Sequence, residues 1–446
     1  MKLESLYIEE FRNLKHFKID FRKTTSYIQA IIGKNGSGKS NLLEAIVIIF
    51  KGMVLEETPK FNFEMSYTYN SEEIKVIGIK GEGFNVTYRG YTSELGMLTA
   101  TLQHRGESIY PENIVLYYSG VNLRLRKLVK VFEEQFIGNL DKQSFTPRRF
   151  FYVVEEHYSL FLLALLSSSD LQGTKSMLEE KFSIHGLKSF EIVLTANHRH
   201  VKGELEQFLN LLYEEASETI GYKGGILLRF SDAEGSLYRI RNKVGYGRDI
   251  LKWLDACYYS NCIVDVHIEL MKDKTGSTII SHKQLSEGEQ QLLLLTGLAE
   301  FFSYKESLYL WDEPDTFLHP KWQRELTGYI EGLRVEQQFI LTTHSPNLLT
   351  TMNGKNVFIL EKGQVCDVNP YTLGRDINSI LYDLMDVSLR HRPTQEKLDE
   401  FYSLVEDSQF IEADKILKTL ISHMGEDDAE ILHAQNILAL EKEFNE

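Results

Sequence analysis

The segment GKNGSGKS, Gly33 to Ser40, fits the pattern G-x-x-x-x-G-K-[ST] at every fixed position. Those residue types suit phosphate for physical reasons. Gly33, Gly36 and Gly38 let the backbone curl until successive N–H groups point inward at phosphate oxygens, with Lys34, Asn35 and Ser37 between them. Lys39 brings a cation to the β- and γ-phosphates, and the Ser40 hydroxyl is a hard oxygen ligand for Mg²⁺. Asn41 opens a helix whose N-terminal dipole adds to the attraction. Three further segments carry groups suited to act on a bound phosphate. SLYLWDEP, residues 307–314, ends an apolar run in two acids, Asp312 to hold the metal and Glu313 to orient or deprotonate an attacking water. LSEGEQQ, residues 285–291, offers Ser286 as a donor to a γ-phosphate, Gly288 for close approach, and Glu289 beside them. TTHSP, residues 342–346, sets His344 at a strand end, within reach of a γ-phosphate or water. Each of these three has a plain structural alternative. Many strands end in acids, SEGE is an ordinary capping sequence, and a lone strand-end histidine is most often structural. Their order behind a complete phosphate loop favours the chemical reading.

These residues need a scaffold that brings distant segments to one edge. Tyr27 to Ile32 is an apolar run feeding into glycine, and Asn41 to Phe50 is apolar nearly all round, which predicts buried strand, turn and buried helix in sequence. Ahead of it, Phe17, Ile19 and Phe21 alternate with charged residues as a half-buried strand does. Residues 63–102 predict a small antiparallel sheet with a hairpin turn at Gly81-Glu82-Gly83. Ile114 to Tyr118 predicts a strand, residues 121–222 a mainly helical stretch broken by a polar loop at 167–174, and Ile226–Phe230 with Leu237–Ile240 a second hairpin. From Ile263 onward strands alternate with helices, as in a largely parallel sheet. The expected division is 1–120 and 261–393 as two lobes of one α/β core, 121–260 as an insertion, and 394–446 as C-terminal helices.

Bulk properties narrow the class. The net charge of −15 argues against a general nucleic-acid binder, but residues 396–446 hold fourteen acids and four bases, a net of −10. The remaining −5 leaves room for local basic groups, Arg124 to Lys130, Arg148-Arg149 and His198 to Lys202, so contact with nucleic acid stays open beside a solvated-face reading. No stretch approaches the roughly 18 apolar residues that span a membrane, and the charged opening lacks an apolar signal core, which predicts a cytoplasmic protein. Cys257, Cys262 and Cys366 form no CxxC pair.

Taken together the four segments resemble the ABC-type ATPases. The form LSEGEQ resembles soluble members related to RecF and the SMC proteins, LYIEEFRNLKHFKIDF (Leu6–Phe21) resembles the first hairpin of RecF-like and OLD-like ATPases, and DEPDTFLHP (Asp312–Pro320) is similar to a segment of the OLD family. The resemblance covers roughly residues 1–120 and 260–370. It implies an α/β ABC-ATPase head with a mainly parallel sheet, an antiparallel β subdomain, a helical insertion and a C-terminal helical hairpin. It implies ATP and Mg²⁺ as ligands, Asp315 at the D-loop, and a homodimer in which one subunit's Lys39 meets the other's Ser286 across a shared ATP. One departure stands out. The family's Q-loop glutamine has no counterpart after Tyr118, where Ser119 and Asn122 are the polar residues, and the position stays unassigned.

The same reasoning separates functions. The 245 residues from Ser40 to Leu285 contain β-patterns and no sustained heptads, against a coiled-coil arm. The 102 residues after His344 lack the DxD of an OLD nuclease domain. YTLGRDINSILYDLMDV, residues 371–387, followed by acidic helices, looks like the C-terminus of the ATPase subunit of Septu-type and retron-linked anti-phage systems. That likeness implies a separately encoded HNH nuclease as partner. A RecF-like repair or replication ATPase is the alternative.

Overall fold

The computed structural model describes residues 1–446 except 121–123, 142–147, 169–171, 246, 304–305, 334–336, 369, 386–389 and 446. The described residues form two compact units, Met1–Arg375 and Asp376–Glu446, so the second unit opens ahead of the expected residue 394.

The first unit contains three sheets among its described residues. The central one has seven strands in the order Gln364–Val365, Val357–Glu361, Ile28–Ile32, Gln338–Thr342, Ser307–Asp312, Asn113–Tyr118, Phe150–Tyr152. Its pairings are parallel from Val357–Glu361 through Phe150–Tyr152, and the short Gln364–Val365 strand closes one edge antiparallel. Its three central strands, Ile28–Ile32, Gln338–Thr342 and Ser307–Asp312, are buried along their whole length, which is why they read as largely apolar runs. A six-stranded antiparallel sheet combines the opening hairpin, Lys2–Phe11 with Leu14–Asp20, and four strands from Phe63–Tyr69 to Tyr91–Glu94. The helix Lys39–Leu55 lies between these two sheets. Leu42, Ile46 and Phe50 share one core with Leu3, Leu6 and Ile8 of the antiparallel sheet and Ile114, Leu308 and Ile340 of the central one. That accounts for a helix apolar on every side.

Residues 121–222 are mainly helical as the pattern predicts, with helices Arg124–Asp141, His157–Ser167, Gln172–Phe182 and Glu204–Glu215, but the reading missed Gly186–Thr195, the middle strand of a five-stranded antiparallel sheet, flanked by Gly225–Phe230 and Ile263–Met271. Leu237–Ile240 was expected to be a strand and lies inside the helix Ala233–Val244. The polar break at 167–174 has helix resuming at Gln172, with 169–171 outside the described residues. Leu95–His104 is a helix that the strand pattern of 63–102 concealed.

The second unit is built on the helices Arg392–Glu406, Phe410–Met424 and Ala429–Asn445. They bury Leu398, Phe401, Leu417, Leu420, Ile431 and Leu438 in a core of their own. No helix of the described residues is long and apolar enough to cross a membrane.

Candidate active site

The parallel sheet delivers the site. Ile28–Ile32, Gln338–Thr342 and Ser307–Asp312 are adjacent and parallel, with Asp312 in register with Thr342, so the residues following each emerge at one edge. Ligands of open α/β sheets bind at this carboxyl edge.

The loop after Ile32 has the backbone that its glycines predict. Gly33, Gly36 and Gly38 all have positive φ, and a Cβ on Gly33 would come within 2.2 Å of the Leu360 carbonyl oxygen. Gly38 is the N-cap of Lys39–Leu55 and has no side chain to offer, which leaves the helix's first N–H groups for a ligand. Lys39 is buried and its Nζ donates to the carbonyls of Gly33 (2.8 Å) and Lys34 (3.3 Å), spanning the loop. Burial lowers its pKa, opposed by the charges of Glu313 and Asp312. The Ser37 hydroxyl is buried with no partner among the described residues. Lys34 and Asn35 are exposed.

The acids meet this loop. Asp312 is buried, accepts from the Thr342 hydroxyl, and is hydrogen-bonded to Ser40; burial raises its pKa above the usual carboxylate value. Glu313 has φ 54, a left-handed conformation costly for a non-glycine residue, held by its N–H donating to Thr342 Oγ1 at 3.0 Å and to the Thr342 carbonyl at 3.2 Å. Its carboxylate lies 3.8 Å from His344 Nε2, and both side chains are partly exposed. Burial and then Lys39 lower the His344 pKa, with Glu313 opposing. Asp315 turns inward: its Oδ2 accepts from Thr343 Oγ1 at 2.7 Å, its Oδ1 has no partner among the described residues, and burial raises its pKa to about 6.

Sequence reasoning missed a brace around the loop. The turn of the opening hairpin sends Asn13 to the Gly36 carbonyl (2.9 Å) and to Asn41, which donates to Asn13 Oδ1 at 2.7 Å. Arg12 donates to Asn41 Oδ1 at 2.7 Å and pairs with the buried Glu44, which Arg124 also meets. The FRN triplet inside the quoted hairpin was the available signal.

The signature residues stand by themselves. Ser286 caps the helix Glu287–Phe301 in a reciprocal capping box with Glu289, Ser286 N to Glu289 Oε2 being 2.7 Å and Glu289 N to Ser286 Oγ 3.3 Å. Gly288 sits against the Phe317 carbonyl and Trp322, where a Cβ would lie 3.0 and 3.1 Å away. Among the described residues no hydrogen bond or ion pair joins Ser286, Gly288 or Glu289 to the phosphate loop. Of the two Q-loop candidates, Ser119 hydrogen-bonds Thr316 at 3.1 Å, and Asn122 lies outside the described residues.

A buried cation across a glycine loop, an orphaned hydroxyl within it, and the Ser40–Asp312 oxygen pair fit a nucleoside triphosphate with Mg²⁺. Comparisons with known proteins agree. Residues 1–143 match the family described as AAA ATPase domain, and residues 192–350 the family described as AAA domain, putative AbiEii toxin, Type IV TA system. The chain is 24% identical to the Retron Ec83 probable ATPase of Escherichia coli over 99% of its own length and 87% of the relative's. It is 23% identical to the Septu protein PtuA of Bacillus thuringiensis, over 90% of this chain and 88% of that one. It matches the DNA replication and repair protein RecF of Caldanaerobacter subterraneus at 39% identity, over 15% of this chain and 19% of that one. The chain carries an ATPase-type nucleotide site and is similar along most of its length to the Retron Ec83 probable ATPase and the Septu protein PtuA.

Proposed function

We propose that this chain is the nucleotide-controlled ATPase subunit of an anti-phage defence system, closing on a second copy around ATP and governing a separately encoded HNH-type nuclease. The observation that carries the ATP chemistry is the convergence of Lys39, Asp312, Glu313 and His344 on one sheet edge. The loop N–H groups and Lys39 hold the phosphates, while Ser40 and Asp312 would hold Mg²⁺. Bound there, the ion would neutralise charge on the β- and γ-phosphate oxygens. Glu313 accepts a proton from the attacking water. His344, whose pKa is lowered by partial burial and by Lys39, positions that water or the γ-phosphate. Ser286 caps its helix; the resemblance to ABC-type ATPases gives it a route to a γ-phosphate across a dimer, with the partner copy's loop supplying the nucleotide. Near full-length likeness to retron and Septu ATPases supports the defence role over the repair role, whose relative matches a short segment.

The test combines chemistry and biology. Glu313→Gln retains ATP and loses turnover by roughly 10²-fold or more, the usual range for a general base. Lys39→Ala loses ATP affinity measured by calorimetry. Cells carrying this gene with its neighbouring nuclease gene resist phage in a plaque assay, and Lys39→Ala abolishes the resistance. Wild-type turnover in Glu313→Gln removes that residue as base; equal plaquing with and without the gene pair removes the defence role.

A further inference from the structure

A cavity of about 490 Å³ opens on the far side of the acid strand from the phosphate loop, where Asn113–Tyr118 and Phe150–Tyr152 end against the first turns of Glu287–Phe301. Its volume is that of a small-ligand site. Tyr118, Tyr152, Tyr158 and Phe317 supply aromatic walls. Glu155, Glu156 and Glu287 also line it, and none has a cationic partner among the described residues. Its cation, Arg126, already faces Glu133 at 3.7 Å.

Gln291 adds a direction to this charge. Its Nε2 donates to the Pro314 carbonyl, which assigns Oε1 as the acceptor, and that oxygen is buried with no donor among the described residues. The Tyr158 hydroxyl is also buried without a partner. An unmet buried acceptor costs about 1–3 kcal/mol, which an incoming N–H would recover. Aromatic faces, unneutralised carboxylates and an acceptor lacking a donor are complementary to one chemistry, an organic cation bearing N–H donors. The same carboxylates repel phosphate. A guanidinium fits better than an ammonium, since it is planar, stacks on rings, spreads five donors and is more weakly hydrated.

We infer that this cavity binds a guanidinium group, carried either by a free small molecule or by an arginine side chain of another protein. An occupant would touch the helix that carries Ser286 and the loop after Asp312 together, since Gln291 already joins them and Ser119 N donates to the Asp312 carbonyl at 3.3 Å.

Titration calorimetry of the full chain at low salt decides it, with agmatine, a blocked Gly-Arg-Gly peptide and adenosine as probes. Agmatine and the peptide should give saturable heats, and adenosine none. Comparable affinities assign the free molecule, and a peptide tighter by about tenfold or more assigns an arginine from a partner chain. The double variant Glu155→Gln/Glu156→Gln should weaken both guanidinium probes by roughly tenfold, and Phe317→Ala, at an exposed position on the mouth, by a few-fold. Should the double variant fold poorly, Phe317→Ala carries the comparison. The inference is overturned by absence of saturable binding of both guanidinium probes, by affinities unchanged in the variants, or by adenosine binding in their place.

Discussion

Asp315 sets burial against charge. Its carboxyl is buried, one oxygen takes a hydroxyl hydrogen bond and the other takes none, and its pKa rises from 3.8 to about 6. Folding therefore takes up a proton between those two values. The folded state binds more protons than the unfolded one there, so the stability this group contributes is full below about pH 4 and is lost as pH rises through about 6. Asp315→Asn, which keeps the shape and the acceptor, should stabilise the protein at pH 7.5 by on the order of 2 kcal/mol and leave it no more stable at pH 4. Thermal melts of both proteins across that range check it; parallel curves would mean the carboxyl is not buried as described. Residues of the phosphate loop were legible in the sequence because their backbone demands their types. Gly33 has φ 147 and no room for a Cβ, and no other residue type meets both conditions. Arg12 and Asn13 were not legible in that way. Their value lies in where the hairpin turn arrives, beside Gly36 and Asn41, and nothing local in FRN states that destination.

At the scale of elements, the helix Glu287–Phe301 answers to two demands. Eleven of its residues are buried, from Gly288 to Phe301, while Ser286, its cap, and Glu287 are exposed. A serine at a helix N-terminus can cap the helix and still face a phosphate, so the cap is compatible with the proposed γ-phosphate contact. Ser286→Arg should cost about 1 kcal/mol of cap stability and leave the subunit folded, yet place a bulky cation where the partner's nucleotide would sit. In a Glu313→Gln background, light scattering should show ATP-dependent pairing without the arginine and none with it. Equal pairing in both would sink the shared-nucleotide arrangement. The elements that were misread share one cause. Gly186–Thr195 has Phe190, Ile192 and Leu194 on one buried face, but its partners Gly225–Phe230 and Ile263–Met271 lie far along the chain. Ala233–Val244 buries Ala233, Leu237 and Ile240 at helical spacing, with Asp232 accepting from Gly235 N at 3.3 Å as its cap and Gly245 ending it at φ 110. The four-residue window Leu237–Ile240 is too short to fix a period; the cap and the stop outside it decide the outcome.

Across the whole molecule, charge and packing divide the chain at nearly the same place. The first unit carries the nucleotide chemistry, and residues 396–446 of the second carry a net −10 on helices with their own core. An acidic surface of that density repels DNA and attracts a basic protein. On the proposed function, that protein is the nuclease. The competing account makes these helices a solvated appendage. Removing residues 376–446 separates the two. The cut falls between the compact units, so the core around Lys39–Leu55 is untouched and ATP binding should persist. Co-purification of the neighbouring nuclease should be lost, and in the full-length pair it should weaken as salt rises from about 0.05 to 0.5 M, because exposed charge pairs are screened beyond a Debye length of about 8 Å near physiological ionic strength. Retention of the nuclease by the truncated chain would move docking to the first unit, with the insertion between 121 and 260 the next region to cut. Loss of ATP-dependent pairing with the nuclease still bound would assign the helices to the homodimer.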